Sequence, residues 1–487
     1  MLTYKRAFTL RLATNAAIGV VLGISLALLF ISGCRSKMSS KSIPLARQTT
    51  QIFSVTDYGG KGDGVTDDSA AFNTARAAAC AVQGTFFVPP TSSFYLLRTS
   101  LQITLAGCLG TTFDFNHAPI KFVPKGPPWE TPVNDRMLYI ESNYSLPRQI
   151  VTPVAVGATR FSAASSDATS DLAAGDWLVV REFDRGIGDI VSFDWVQVKS
   201  VTGPSITVMH PFRVAFMLKR PWLAGTNGLE FVKITSLLRD VTLRNCNFFQ
   251  PDAGKNQPTI HVGVTLNTTI LDCHVANARG QGLYLYQAKS ALIDHFSTAN
   301  GGSVTSEIAA SVDITLTHST FGLDRVSKPL VEALTSPLTL DFGTAFFSIA
   351  NNHFCAAGNI GVQLLYGVHD GEFVSNYLGR VCNAGINPVG VLSRGSYNLV
   401  MSSNTLAGSD PGGVAIDFGD TLGLNTNIHS AGNTIGKNSI MGFAAHFGAK
   451  NVSDSYPLSS AAANSTGSAA AEAGAQTCRA AADRLLR

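Results

Sequence analysis

Four stretches in the second half of this chain begin with glycine and then alternate: Gly282-Leu-Tyr-Leu-Tyr286, Gly361-Val-Gln-Leu-Leu365-Tyr366, Gly390-Val-Leu-Ser-Arg394 and Gly413-Val-Ala-Ile-Asp417. An extended strand turns successive side chains to opposite faces. Leu283, Leu285, Val362, Leu364, Val391, Ser393, Val414 and Ile416 therefore share an inward face, and Tyr284, Tyr286, Gln363, Arg394 and Asp417 share the outward one. Tyrosine rings offer flat apolar faces with a polar tip, suited to sugar rings. A guanidinium binds a carboxylate or sulfate in a planar fork, and a carboxylate can exchange a proton with a reacting group. The chemistry on offer is thus acid or base work by Asp417 and Asp420, anion holding by Arg394, and substrate binding by Tyr284, Tyr286, Gln363 and Tyr366, with His369 and Asp370 near by. A solvated sheet face would carry the same pattern.

These residues form one stripe only if their strands stack in register, and the chain contains a repeat that would stack them. Apolar anchors at Phe248, Val275, Phe296, Phe321, Phe354, Leu378, Leu406 and Ile435 are spaced by 27, 21, 25, 33, 24, 28 and 29 residues, a mean of about 27. Five positions before them stand Leu243, Ile270, Ala291, Leu316, Ile349, Phe373, Met401 and Ser430. Three positions before stand Asn245, Asp272, Ile293, His318, Asn351, Ser375, Ser403 and Gly432, mostly the small or polar types that a bend requires. A parallel solenoid produces this pattern, because each rung pairs with the rungs above and below and inward residues stack into ladders. The expectation from this repeat is an all-β parallel solenoid. Cys246 and Cys273, each two before an anchor on successive coils, should then share a row, bonded or stacked, with Cα atoms within ~7 Å.

Composition supports a folded, turn-rich β protein. The 487 residues include 45% hydrophobic, 14% charged and 45 Gly, with 36 basic against 33 acidic side chains. A disordered chain would be less hydrophobic and more highly charged. Near-zero net charge leaves no electrostatic footprint for nucleic acid, and no CxxC pair suggests zinc. His261, His274, His295, His318 and His353 fall on different coils, and by that spacing no metal site is expected. No cofactor is expected either, calcium having no clear site. Gly-x-Ser-x-Gly and phosphate-loop patterns are absent.

Residues 1–33 read as an export signal: Lys5, Arg6 and Arg11 precede the apolar run Ala16 to Ile31, which ends at Ile31-Ser32-Gly33-Cys34. Sixteen helical residues rise only ~24 Å, short of a bilayer core. The ending resembles a bacterial lipobox, which implies lipidation of Cys34 and a membrane-anchored protein of the cell envelope. An ordinary secretory signal is the alternative. Residues 34–50 read as a tether. Lipidation of Cys34 leaves Cys80, Cys108, Cys246, Cys273, Cys355, Cys382 and Cys478, and disulfides are compatible with export.

The stretch Asp57-Tyr58-Gly59, Gly62-Asp63-Gly64-Val65-Thr66-Asp67-Asp68, the Ala-rich segment to Cys80, Phe87-Val88-Pro89-Pro90 and Phe94-Tyr95-Leu96 reads as strand, Gly-rich turn, helix and strand. Thr66 or Asp67 is placed to cap the helix, and the aspartates read as structural rather than as an ion site. This stretch closely resembles the opening signature of the pectate-lyase-like superfamily, in its rhamnogalacturonase and epimerase-like group. The resemblance covers about 45 residues. It implies a right-handed parallel β-helix capped by an N-terminal helix, an extracellular location and a polysaccharide partner. The superfamily includes hydrolases, lyases, epimerases and viral tailspike depolymerases. The chain departs from several of their motifs: after residue 240 it lacks an Asp-Asp pair, Gly-His-Gly and Arg-x-Lys, and Asp410-Pro411 is the nearest echo of the epimerase Asp-Pro-His-Glu.

The solenoid is expected over 51–450, with short alternating strands at 151–213 forming a small antiparallel insert and 451–487 an Ala/Ser-rich tail. Two functions follow: an exported polysaccharide hydrolase or lyase acting on a uronate-containing or similar glycan, and a non-catalytic surface lipoprotein that binds glycan or another envelope component. Should the stripe be silent, a groove beside the insert near Asp184, Arg185 and Trp195 is next. The anchor reading is tested by Cys34→Ser, which should move the protein from the membrane to the soluble fraction; retention on the membrane would make the apolar run itself the anchor.

Overall fold

Leu243, Ile270, Ile293, Leu316, Ile349, Phe373 and Met401 hold the same place in successive coils, and in the computed structural model each pairs with the next across a parallel ladder. The structure describes residues 51–454 except 105, 125–135, 185–189, 219–226, 251–257, 277–280, 300–305, 323–335, 356–359, 380–388, 407–412, 420–425, 436–438 and 446–449. The export signal, Cys34, the tether, Arg185, Asp420 and most of the expected tail lie outside the described residues. The chain winds as a right-handed parallel β-helix with three sheets. Sheet I starts at Ile52–Ser54 and ends at Lys450–Asp454, sheet II runs from Tyr95–Leu97 to Thr434–Ile435, and sheet III from Leu101–Ile103 to Ser439–Ala445. One coil is Thr269–Leu271, His274–Ala276 and Leu283–Tyr286.

From Arg244 onward the corner between sheets I and II has one length: Leu271 to His274, Asp294 to Ser297 and Thr317 to Thr320 are all three-residue steps, whereas the first coils take longer ones, Phe87 to Tyr95 and Asp114 to Pro119. Its first residue is left-handed throughout, at Asn245, Asp272, His295, His318, Asn351, Ser375 and Ser403, with φ between +48° and +58°. Such backbone is tolerated best by Gly and by short polar residues, which is why this row is polar. The corner from sheet II to sheet III absorbs the variation, spanning Ala276 to Leu283 in one coil and Phe249 to Ile260 in another.

The register differs from the sequence reading at one coil. The row through Phe248 and Val275 continues at Thr298, not Phe296, and then passes through Phe321, Phe354, Leu378, Leu406 and Ile435. Correspondingly Ile293 replaces Ala291 in the inward row and His295 replaces Ile293 at the bend. The three-residue corner sets the register, and Phe296 packs inward beside it, 5.9 Å from Phe321. Cys246, Cys273, Phe296, Ser319, Asn352, Asn376, Asn404 and Asn433 thus share a row two before the anchors. Cys246 and Cys273 are disulfide-bonded with Cα atoms 4.1 Å apart. The asparagines form a buried ladder: the Asn352 oxygen takes the Ser319 N–H at 2.9 Å, and each later oxygen takes the backbone N–H and the amide of the asparagine before it, as at Asn376 from Asn352 (3.0 and 3.1 Å) and at Asn404 from Asn376 (2.9 and 3.1 Å). Each amide also donates to a carbonyl of the earlier coil, Asn376 to Ile349 at 2.8 Å.

At the N-terminal end, helix α1 (Ser69–Ala81) buries Phe72, Ala75 and Ala79 on one face, at helical spacing. Phe72 meets Phe86 and Tyr95 edge-on, and Cys80 is bonded to Cys108. Asp68 is the residue before the helix, but its carboxylate instead accepts N–H bonds from Lys61, Gly62 and Leu96. Asp67 takes the amide of Ser69 and Asp63 those of Val65 and Thr66. Within the described residues these aspartates close the turn, in which Gly62 is left-handed and has no room for a Cβ beside Tyr95.

The antiparallel insert is wider than 151–213. Its sheet draws strands from Asn143–Tyr144 to Asn227–Ser236, because Asn227–Ser236 pairs along the whole of Trp177–Asp184. One face holds its own core of Phe161, Leu178, Val180, Phe212 and Phe231. The other packs Val179, Phe193 and Trp195 against Val264, Ala310 and Val312 of the solenoid. Strand Lys450–Asp454 continues sheet I, with Val452 over Ile428, so the solenoid runs past residue 450.

The asparagine ladder predicts that Asn376→Ala destabilises the chain by about 2–4 kcal/mol, because it strips partners from the Asn352 amide and the Ile349 carbonyl deep in the core. Urea unfolding should resolve this. A loss no larger than that of Asn398→Ala, at an exposed corner, would refute the ladder's role.

Candidate functional site

Parallel register puts residues from distant coils side by side on the outward face of sheet III. One row runs Tyr139, His261, Tyr284, Glu307, Thr339, Gln363, Leu392 and Asp417. A second, two residues further along each strand, runs Glu141, Gly263, Tyr286, Ala309 and Asp341. Rungs are ~4.8 Å apart and next-but-one residues ~6.6 Å apart. Glu307 and Asp341, one rung and two residues apart, therefore have Cα atoms ~8 Å from each other.

The aromatic end of this face is a continuous stack. Tyr139 and His261 lie 4.9 Å apart and nearly parallel, Tyr284 tilts against His261 at 5.4 Å, and Tyr286 stacks on Tyr284 at 5.8 Å. The Arg136 guanidinium sits 5.1 Å over Tyr139. The Tyr139 hydroxyl donates to Glu141, and His261 Nε2 is 3.6 Å from the same carboxylate. Gly263 is required between them, since a Cβ there would lie 2.8 Å from His261 Nε2.

This face is enclosed, which changes its chemistry. His261, Thr339, Gln363 and Asp341 are 4–6% exposed. Burial pushes the His261 imidazole down, against the pull of Glu141, and pushes the Tyr284 hydroxyl up, with Glu307 adding to it. Burial also raises Glu307 from an ordinary 4.5 to about 7, and the side-chain amide of Gln281 donates to it. His261 Nδ1 and Thr339 Oγ1 are buried with no hydrogen-bond partner among the described residues. Native interiors rarely leave such atoms unpaired, so this face has polar capacity for something that is not the chain itself.

The sequence-predicted residues divide between this face and elsewhere. Tyr284, Tyr286 and Gln363 are brought to it, although Gln363 is buried rather than solvated. Asp417 continues the first row by backbone register, but four rungs (~19 Å) from Glu307, with Leu392 between. Arg394 continues the second row beside Leu365 and Gly419. Tyr366 is a left-handed corner residue stacked 5.6 Å from Phe342. His369 is buried at the start of a sheet I strand, bonded to Asp370 at 2.7 Å and stacked on Tyr397. The fallback groove has no basis in Asp184 or Trp195: both are buried, and Trp195 Nε1 donates 3.1 Å to the Gln287 carbonyl as the insert's wedge into the solenoid. Tyr139, Glu141, His261, Glu307, Thr339 and Asp341 were missed. Their strands do not open with the glycine that flagged the others, and only the register connects them to Tyr284.

No family model matches the sequence, and no curated protein matches it. Among solved structures the fold is similar to the tailspike gp61 of Pseudomonas phage phi297, with a TM-score of 0.50 and 13% identity over 85% of this chain and 79% of that one. It is also similar to the tailspike gp49 of Pseudomonas phage LKA1 (TM-score 0.46, 12% identity, 82% and 79% coverage) and to the Streptococcus pneumoniae surface adhesin PfbA (0.39, 13%, 83% and 99%). At these identities the likeness is one of fold.

A raised Glu307 means that the native state holds its proton more tightly than the unfolded chain does. Its contribution to stability is complete below about pH 4.5 and is lost as pH rises through about 7. The melting temperature of the wild type relative to Glu307→Gln should therefore fall over that window; parallel profiles would place Glu307 in water.

Proposed function

We propose that the protein is an exported, glycan-active solenoid enzyme whose substrate lies along the outward face of sheet III. The observation that carries this reading is the pairing of Glu307, raised to about 7 by burial, with Asp341 on the same face beside a run of stacked aromatic rings. Glu307 holds a proton near neutral pH and acts as the general acid toward the glycosidic oxygen. Asp341 acts as the base, taking a proton from water in a hydrolase or from the sugar carbon beside the carboxylate in a lyase. One rung and two residues of separation on one face put the two carboxylates where they can flank one glycosidic bond. The Tyr284 and Tyr286 rings cover sugar faces, and Arg136 is the cation placed for a uronate. Arg394 and Asp417 lie two and three rungs beyond Asp341 by backbone register. The opening signature, with its resemblance to polysaccharide-active solenoids, supports the substrate class, and the Ile31–Cys34 ending supports a lipid-anchored place at the envelope.

The test is a panel of uronate-containing and neutral glycans, read separately for new reducing ends and for the unsaturated product that only a lyase makes. Glu307→Gln and Asp341→Asn should each lower turnover by about 10²-fold or more with the fold intact, the range expected for losing an acid or base. Asp417→Asn should leave turnover near wild type, and Arg136→Ala should weaken anionic glycans selectively. Glycan binding without turnover in the wild type would make the protein a binding solenoid. Turnover that survives both carboxamide variants would move the reacting centre off this face.

A further inference from the structure

The corner between sheets I and II does not border sheet III, and it carries a second concentration of chemistry. His295 and His318 occupy consecutive places in its left-handed row, one rung apart, and Asp294 precedes the first of them. His295 Nδ1 lies 2.9 Å from Asp294 Oδ2 and His318 Nδ1 lies 2.8 Å from Asp294 Oδ1, while the two rings stack 5.2 Å apart at 26°. One potential ligand atom from each residue falls within 4.8 Å of the others. Thr317 donates 2.9 Å to the carboxylate and so orients it. The different-coil spacing that argued against a metal site is what assembles this one, since stacking places His318 directly over His295.

We propose that Asp294, His295 and His318 form a binding site for a divalent transition-metal ion of the zinc type. Two imidazole nitrogens and one carboxylate oxygen are the donor set that suits Zn²⁺, Ni²⁺ or Cu²⁺, with water completing the coordination. Calcium and magnesium, which require an all-oxygen shell, are not served by it. Three features favour capture over a plain ion pair. The ligands come from backbone held in ladder register, so binding orders little that is not already ordered. Both rings already turn a nitrogen to the one carboxylate. The site is open to solvent, the two histidines being more than half exposed, so an ion can enter without unfolding. A metal held here clips two consecutive coils together, and its binding adds to the stability of the folded chain. The site stands apart from the glycan reading and does not depend on it.

The experiment is titration of the EDTA-treated, buffer-exchanged full chain with ZnCl₂ by calorimetry, followed by melting in the presence of excess Zn²⁺. One Zn²⁺ per chain at this site, with a raised melting temperature, is expected. His295→Ala and His318→Ala should each weaken this binding by about tenfold or more, and the double variant should remove one equivalent and the thermal shift. His353→Ala, with its imidazole elsewhere, should retain both. Binding should weaken in acid, because imidazole must be neutral to ligate, and CaCl₂ should give neither heat nor shift. Circular dichroism of the variants separates loss of ligand from loss of fold. Failure of the wild type to bind Zn²⁺, or identical stoichiometry and affinity in the double variant, would overturn the site.

Discussion

Backbone hydrogen bonds in this protein run along the solenoid axis, from each coil to the next, and that single arrangement dictates most of what surrounds it. A residue can pair in register only if its coil closes on the same path as the coil below. From Arg244 onward the path is held by a corner of constant length between sheets I and II, where one residue per coil must accept left-handed backbone. Because the corner repeats without drift, like stacks over like. Asparagine over asparagine can then exchange amide bonds inside a core that would otherwise penalise every polar atom. Two cysteines at the same place become a covalent rung. Variation is pushed to the corner leading into sheet III, where length can change without disturbing the ladder.

The same rule builds the candidate site and accounts for its strength as a chemical environment. Tyr139, His261, Tyr284 and Glu307 lie on successive rungs, although Tyr139 and His261, neighbours in space, are 122 positions apart in sequence. The large gap is the insert, which leaves the solenoid after Glu141 and returns before Thr242. Its apolar face lies along the corner beside Tyr286, where Trp195 and Phe193 meet Val264 and Ala310. Arg213 joins buried Asp194 to Asp313 of the solenoid at 3.4 and 2.6 Å, so the contact is charged as well as apolar. The insert thus packs beside Tyr286, at one edge of the face that carries Glu307.

How much of this was legible follows from which physical signals are local. The solenoid was legible because inward ladders and bends leave apolar and polar marks at a coil-length period. The register slipped at Phe296 because size and apolarity were used to choose the anchor, whereas the geometry of the corner chooses it; Thr298 is small but correctly spaced. The asparagine row could have been read, since Asn352, Asn376, Asn404 and Asn433 stand at a constant offset from Phe354, Leu378, Leu406 and Ile435. Glu307 and Asp341 could not be recognised by type, as a lone glutamate in Ser306–Ala309 carries no local mark of burial. Their meaning comes from Tyr284 one rung away and from the enclosure of the face, neither of which is near in sequence. Asp417 shares the row of Glu307 by backbone register and lies four rungs along it.

Stacking also explains why two clusters made by the same rule differ in chemistry. Along sheet III, carboxylates and imidazoles are taken out of water, so the charged form of each is disfavoured and proton affinity shifts: Glu307 upward, His261 downward. At the corner between sheets I and II, imidazoles and carboxylates are also one rung apart, but they stand in solvent and satisfy one another, with Asp272 between His117 and His274, and Asp294 between His295 and His318. There the hydrogen bonds from His318, His295 and Thr317 together outweigh burial and hold the Asp294 carboxyl below the usual carboxylate range. One face is therefore suited to moving protons and the other to holding a cation, although the ladder that assembled them is the same. What separates the two is exposure: His261 and Asp341 on sheet III are buried, whereas His295 and His318 at the corner are more than half exposed.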